Sequence, residues 1–354
     1  MPRSSPSLSV YMMVVLLTAA TPVTAQEASE WLQVMNDEEQ EELVFLVGPV
    51  DLPAGTHHNM IKQPPLLSAT VPIDAYLYGF DVQMLDSEGQ PMTNEVLHHV
   101  NLIDPDHREL FTPIARRLFA AGGETQPESL PRVLGVPLEK GQDLVVSAMF
   151  HNPTPTAYPG ARLRVTLKYR KKGWFFPIGV YPVYLDVMGP VGAKEFDLPP
   201  GLYERSWTGS PAIAGYLLAA GGHVHDYATG LRFEDLTTGK VLWETRPEVD
   251  RNGHVVAVPV GEFWWKGGLR LRPDHTYRLT VVYDNPTGEI LPGGGMGVLG
   301  GVFLPRRGQE WPSLDPQDPQ YVANMEKTRV TAERRAMGMD MSHGGGEHGH
   351  GDHN

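Results

Sequence analysis

The chain reads as an all-β protein: two tandem jelly-roll or β-sandwich modules, then a short helix and a low-complexity tail. Three observations predict this. Glycine (38) and proline (32) are abundant among 354 residues, the composition of short strands joined by turns. The apolar runs are short, as in Leu43-Val44-Phe45-Leu46-Val47, and are bounded by Gly-Pro and Asn-Pro punctuation. A frame also repeats. Gly48-Pro49-Val50 with Asp51-Leu52-Pro53-Ala54-Gly55 returns as Gly189-Pro190-Val191 with Asp197-Leu198-Pro199-Pro200-Gly201. Asn152-Pro153-Thr154, followed by Pro159-Gly160, returns as Asn285-Pro286-Thr287, followed by Pro292-Gly293. Each Asn-Pro-Thr follows a β-like run, so the repeat is read as structural.

Taken in order, residues 1–25 have the pattern of a cleaved secretory leader. Arg3 supplies the positive charge, Val10 to Ala20 the apolar run, and Val23-Thr24-Ala25 the small-residue cleavage site. The apolar run is short for a membrane span, so no stable anchor is expected. Residues 26–41 are polar and acidic and read as a loose lead-in. The first module is expected over 42–179 and the second over 180–305, with a hinge in Lys171–Pro177. A helical extension over 306–336 follows, its helix starting near Asp318-Pro319. The last stretch, 337–354, is rich in glycine, methionine and histidine and is expected to be disordered.

The chain has no cysteine, hence no disulfide, no thiolate ligand and no lipoprotein anchor. With the leader, this points to a secreted or periplasmic protein. The formal charge is −13, which argues against nucleic acid and anionic membranes as partners. Serine-hydrolase elbows, phosphate loops and His-Glu-x-x-His are absent. Gly295-x-Gly297-x-x-Gly300 has the spacing of a nucleotide loop, but no helix pattern follows it.

The histidines carry the chemistry. His223 and His225 are one residue apart, so on a strand they share a face and present two imidazoles to one point. Met296 sits among glycines that leave it room. A thioether with two imidazoles is a soft donor set suited to copper, above all Cu(I). His98 and His99 are adjacent and would face opposite sides of a regular strand. For both to serve one metal the backbone must bulge, or one ring must reach across; otherwise one histidine points in and one out. His151 ends a strand, and its counterpart in the repeat is Asp284. His57-His58 reads as a surface loop or an auxiliary site, the loop being favoured. His107, His254 and His275 read as solvent-facing. Met337, Met339, Met341, His343, His348, His350 and His353 form a flexible composition able to capture metal.

His98-His99, His151, His223-x-His225 and Met296, in this order and at these intervals, resemble the ligand order of the copper type II, ascorbate-dependent monooxygenases. That family includes peptidylglycine α-hydroxylating and dopamine β-monooxygenases. The resemblance covers about residues 42–305. It implies two copper ions per chain, an electron-transfer copper on His98, His99 and His151 and an oxygen-activating copper on His223, His225 and Met296. The two would face each other across a solvent-filled cleft. It implies O2, an external reductant such as ascorbate, and a small-molecule or peptide substrate hydroxylated at a C–H bond. Gly221 stands where peptide-amidating members have arginine, and glycines replace their tyrosine after the methionine, so a glycine-extended peptide is not expected. The alternative is a non-catalytic envelope protein that stores or delivers copper on the same scaffold. The sequence gives no oligomeric state.

Overall fold

The computed structural model describes residues 30–173, 177–251 and 254–336. The expected leader and the Met/His tail lie outside the described residues, as does the centre of the expected hinge. Among the described residues the fold is all-β, with one α-helix and three short 3-10 turns.

The first half contributes β1 (Leu32–Asp37), β2 (Glu42–Leu52), β3 (Leu67–Thr70), β4 (Ala75–Leu85), β5 (Leu97–Arg108), β6 (Ala115–Ala121), β7 (Glu128–Ser129), β8 (Leu134–Leu138), β9 (Asp143–Phe150), β10 (Tyr158–Lys171) and β11 (Ile178–Gly179). One sheet runs β1-β2-β10-β4-β8-β11, with β7 beside β4; the other runs β3-β9-β5-β6. Alternating residues such as Leu43, Phe45 and Val47 face Leu144, Val146 and Ala148 in a shared core.

The stretch expected as a loose lead-in is in part the edge strand β1. The Asp37 carboxylate accepts the amides of Glu39 and Gln40, both at 3.0 Å, closing the turn into β2. The first sheet therefore starts at Leu32, not at Glu42. The polar residues of β1 suit an edge strand, and this is why they read as linker.

The second half contributes β12 (Tyr181–Asp186), β13 (Phe196–Leu198), β14 (Gly201–Gly209), β15 (Gly215–Val224), β16 (Ala228–Asp235), β17 (Lys240–Thr245), β18 (Glu248–Val249), β19 (Val255–Ala257), β20 (Gly261–Glu262), β21 (Leu269–Leu271), β22 (Tyr277–Asn285), β23 (Leu291–Gly295) and β24 (Gly297–Pro305). The main sheets are β14-β22-β16-β17 and β12-β24-β15-β20, with β21 also on β15. Leu217, Leu231, Phe233, Leu279, Val281 and Phe303 belong to a second buried cluster.

The repeated motif makes the same bonds in both halves. Asn152 Nδ2 donates to the Leu52 carbonyl (2.9 Å), and its Oδ1 accepts from Thr154 N (3.0 Å) and Oγ1 (2.7 Å). Asn285 Nδ2 donates to the Leu198 carbonyl (3.3 Å), and its Oδ1 accepts from Thr287 N (3.0 Å) and Oγ1 (2.7 Å). Asp51 takes the amide of Gly160 as Asp197 takes that of Gly293. Buried asparagine needs all these partners, which explains why the whole phrase recurs rather than one residue of it.

The halves pack through the two-faced sheet of the second. Along β15, Leu217 enters the second core and Leu218 the first; Tyr216, Val302 and Leu304 also press on the first. In return the β5–β6 loop drives Leu110 and Phe111 into the second core. The Phe111 ring there stands edge-on to Tyr277 at 6.1 Å and Phe233 at 6.3 Å. The helix α1 (Pro319–Ala336), capped by Asp318, lies over the joint. Its Asn324 donates to the Pro190 carbonyl and its Tyr321 to that of Pro105. No helix among the described residues is long and apolar enough to cross a membrane.

Candidate metal centres

The first group forms where β5 begins and β9 ends. Leu97 pairs with Phe150 and His99 with Met149, so His98 is an extra residue in a β-bulge. The bulge breaks the alternation that would send adjacent side chains to opposite faces. The two rings lie with centres 5.2 Å apart, and Nδ1 of His98 is 3.2 Å from Nδ1 of His99. Two imidazoles on one ion, each about 2 Å from it, have donor atoms about 3.3 Å apart. The pair thus already has the spacing of a ligand edge. The His151 ring centre is also 5.2 Å from that of His98. The His151 amide donates to the Val96 carbonyl at 3.1 Å, and its ring bonds the Glu95 carbonyl.

Burial pushes the His98 imidazole well below its ordinary pKa, and His99, His151 and His58 push it the same way. Burial likewise lowers His151. These rings are held neutral, the form that ligates metal.

The second group forms at the end of β15. The rings of His223 and His225 have centres 5.4 Å apart. His223 Nδ1 is 2.6 Å from Glu124 Oε1, and His225 Nδ1 is 3.2 Å from the Gly293 carbonyl. Both Nδ1 atoms are engaged, which leaves each Nε2 as the ring's second nitrogen for a further partner. Burial, then His223, pushes His225 down to about 4. Burial also acts to lower His223, but Glu124 outweighs it and the net shift is upward.

Met296 follows from register. His223 pairs with Val298 and Val224 with Gly297, so the next position across from His225 is Met296. The buried Tyr283 hydroxyl fastens that pairing. It accepts the amide of His225 (3.2 Å) and that of Met296 (2.9 Å), and it donates to the Met296 carbonyl. Burial raises this hydroxyl to about 12, so it stays protonated and able to donate. The glycines flanking Met296 serve space rather than unusual backbone angles. A Cβ on Gly295 would lie 2.1 Å from the Phe196 ring, and one on Gly297 2.7 Å from Val281. Gly221 has Val260 within 3.1 Å of where a side chain would start.

Among the described residues no three His, Asp or Glu side chains close on one point as a finished metal site. The donor types nonetheless fit copper: three imidazoles in the first group, two of them lowered in pKa by burial, and two imidazoles in the second with Met296 at the backbone position across from His225.

Several residues here were not singled out by sequence. Glu124 reaches His223 from the turn after β6. Tyr283 and the buried Gln63 are invisible as site residues because they act on backbone. Of His57-His58, favoured as a surface loop, His57 is exposed, whereas the His58 ring centre lies 5.3 Å from that of His98. His107 and His254 each bond an aspartate, at 2.9 and 2.7 Å, and remain partly exposed. His275 is not solvent-facing; only 14% of its side chain is accessible, and it bonds Asp235.

No protein-family model matches the chain, and no curated protein matches it. Among solved structures, the chain is similar to one from Sulfolobus turreted icosahedral virus, with 11% identity over 86% of this chain and 98% of that one and a TM-score of 0.34. It is also similar to PNGF-II, with 10% identity over 75% of this chain and 66% of that one and a TM-score of 0.35. A lectin from Pleurotus ostreatus follows at 10% identity, with 77% of each chain covered and a TM-score of 0.19. These likenesses are too distant to bear on function.

Proposed function

We propose that the chain is a secreted or periplasmic dicopper monooxygenase that hydroxylates a C–H bond of a small organic or peptide substrate. The observation that carries this is that each half holds its own group of imidazoles, His98 with His99 and His151 in the first and His223 with His225 in the second, and that Glu124 of the first half bonds His223 of the second. His98, His99 and His151 would hold one ion, and His223, His225 and Met296 the other. Copper bound there would supply oxygen activation and one-electron redox chemistry.

The chain's own groups supply the rest. Burial lowers His98 and His151, which presets these two imidazoles as donors without losing protons on metal binding. Glu124 and the Gly293 carbonyl fix the tautomer and aim of the second pair. Tyr283 holds the His225 and Met296 segments in register. Hydroxylation consumes O2, two electrons and two protons; one oxygen enters the substrate and the other leaves as water. An external one-electron donor of the ascorbate class is therefore required. Gly221, covered by Val260, offers no cation for a substrate carboxylate, which favours an uncharged group at that edge.

The test is copper stoichiometry on the signal-free full chain and on a chain ending at Ala336, followed by reductant-dependent oxygen uptake. Two ions retained without the tail, with uptake lost in Met296→Ala, support the reading. Copper lost entirely with the tail favours storage or delivery instead. The cut belongs after α1, because Asn324 is buried against the second half.

A further inference from the structure

We infer that His58 is a fourth nitrogen donor of the first centre, which then comprises His58, His98, His99 and His151. This rests on the copper reading above and extends it by one ligand. The His58 ring centre lies 5.3 Å from that of His98, against 5.2 Å for each of the other two rings. His98 is thus surrounded by three imidazoles at equal range.

The placement of His58 is built. It begins a short 3-10 turn, His58–Met60. Gln63, only 1% exposed, clamps that turn. Its Nε2 donates to the His58 carbonyl (2.9 Å) and to the Phe150 carbonyl (2.7 Å), and its Oε1 accepts the Phe150 amide (2.8 Å). Phe150 immediately precedes His151. On the other side of the turn, Thr56 and Asn152 exchange backbone bonds of 2.7 and 2.8 Å. The loop is therefore tied to both neighbours of His151, and one buried amide sets His58 and His151 relative to each other. Burying an amide is costly unless all its bonds are made, and here the bonds it makes locate an imidazole.

The consequence is chemical. Four imidazoles would make a donor set that suits Cu(II), whereas the thioether of the second group would favour Cu(I).

The experiment loads the full chain with Cu(II) and counts coordinated imidazoles by pulsed EPR. It compares wild type with His58→Gly, His58→Gln and His98→Ala, each checked for an unchanged metal-free circular dichroism spectrum. We expect His58→Gly to remove one imidazole from one of the centres and to weaken its copper ~10–100-fold. Added free imidazole should restore both in the glycine variant. If His98→Ala changes the signal and the His58 variants do not, the fourth ligand is refuted while the three-histidine centre stands. If none of the variants changes it, the copper reading of this centre falls as well.

Discussion

Glu124 of the first half hydrogen-bonds His223 of the second, Oε1 to Nδ1 at 2.6 Å. One carboxylate from the β6 turn thereby completes the surroundings of a ring carried on β15. The pair also has a pH signature in the metal-free protein. The folded pKa of His223 is raised, so its contribution is full below the ordinary histidine value and is lost as pH rises through the raised value. Glu124 is lowered despite burial, so its contribution is present above the ordinary carboxylate value and lost as pH falls through the lowered one. Both fall within the window between those two folded values. Glu124→Gln should cost about 1 kcal/mol near pH 6, discounted for a third-exposed imidazole, and less at pH 9. Urea denaturation of the metal-free chain at the two pH values measures this; equal costs at both would refute the pairing.

The sequence reached the strands and the repeat because those depend on local alternation and on turn phrases. It also offered two ways for His98 and His99 to turn toward one point, a bulge or one ring reaching across, and the backbone has a bulge there. It did not reach Glu124, Gln63 or Tyr283, for one physical reason. Each acts on a partner 99, 87 or 58 residues away, and two of the three act on backbone. A glutamine or tyrosine that satisfies main-chain groups carries no motif. His58 was visible as a histidine beside a turn, but only the clamp tells it from a loop residue.

Tyr283→Phe removes the hydroxyl that collects the amides of His225 and Met296. Three backbone groups near a fully buried ring, the amides of His225 and Met296 and the Met296 carbonyl, would lose their partner, at about 1–3 kcal/mol of stability. Copper affinity at the second centre should fall ~10–100-fold with the first unchanged. Calorimetry of the apo protein and competitive copper titration read the two effects separately. A variant that loses stability but keeps both affinities would show that register does not depend on this hydroxyl.

Met296→Ala should separate the oxidation states. Removing a thioether strips the donor that favours Cu(I) and leaves both imidazoles of the second group in place. Cu(I) affinity should drop about tenfold or more, while Cu(II) affinity changes little. Titration against a Cu(I) chelator and a Cu(II) chelator makes the comparison. Equal losses in both states would mean the sulfur is not a ligand.

Glu109 sits fully buried at the root of the loop that carries Leu110 and Phe111 into the second core. Its Oε1 accepts the Arg117 amide at 2.7 Å, and Oε2 has no hydrogen-bond partner among the described residues. Burial pushes its pKa up to about 7 from an ordinary 4.5. A raised carboxylate binds its proton more tightly in the folded chain than in the unfolded one. Stability therefore declines as pH rises from about 4.5 through about 7, by an upper limit of ~3 kcal/mol. Glu109→Gln removes the ionisation while keeping an oxygen for Arg117. It should leave stability at pH 5 near that of wild type and raise it at pH 8. Denaturant midpoints at both values check this, and a wild type as stable at pH 8 as at pH 5 would mean that Glu109 ionises freely. The site matters because the same loop closes the two halves together and so helps to hold Glu124 over His223.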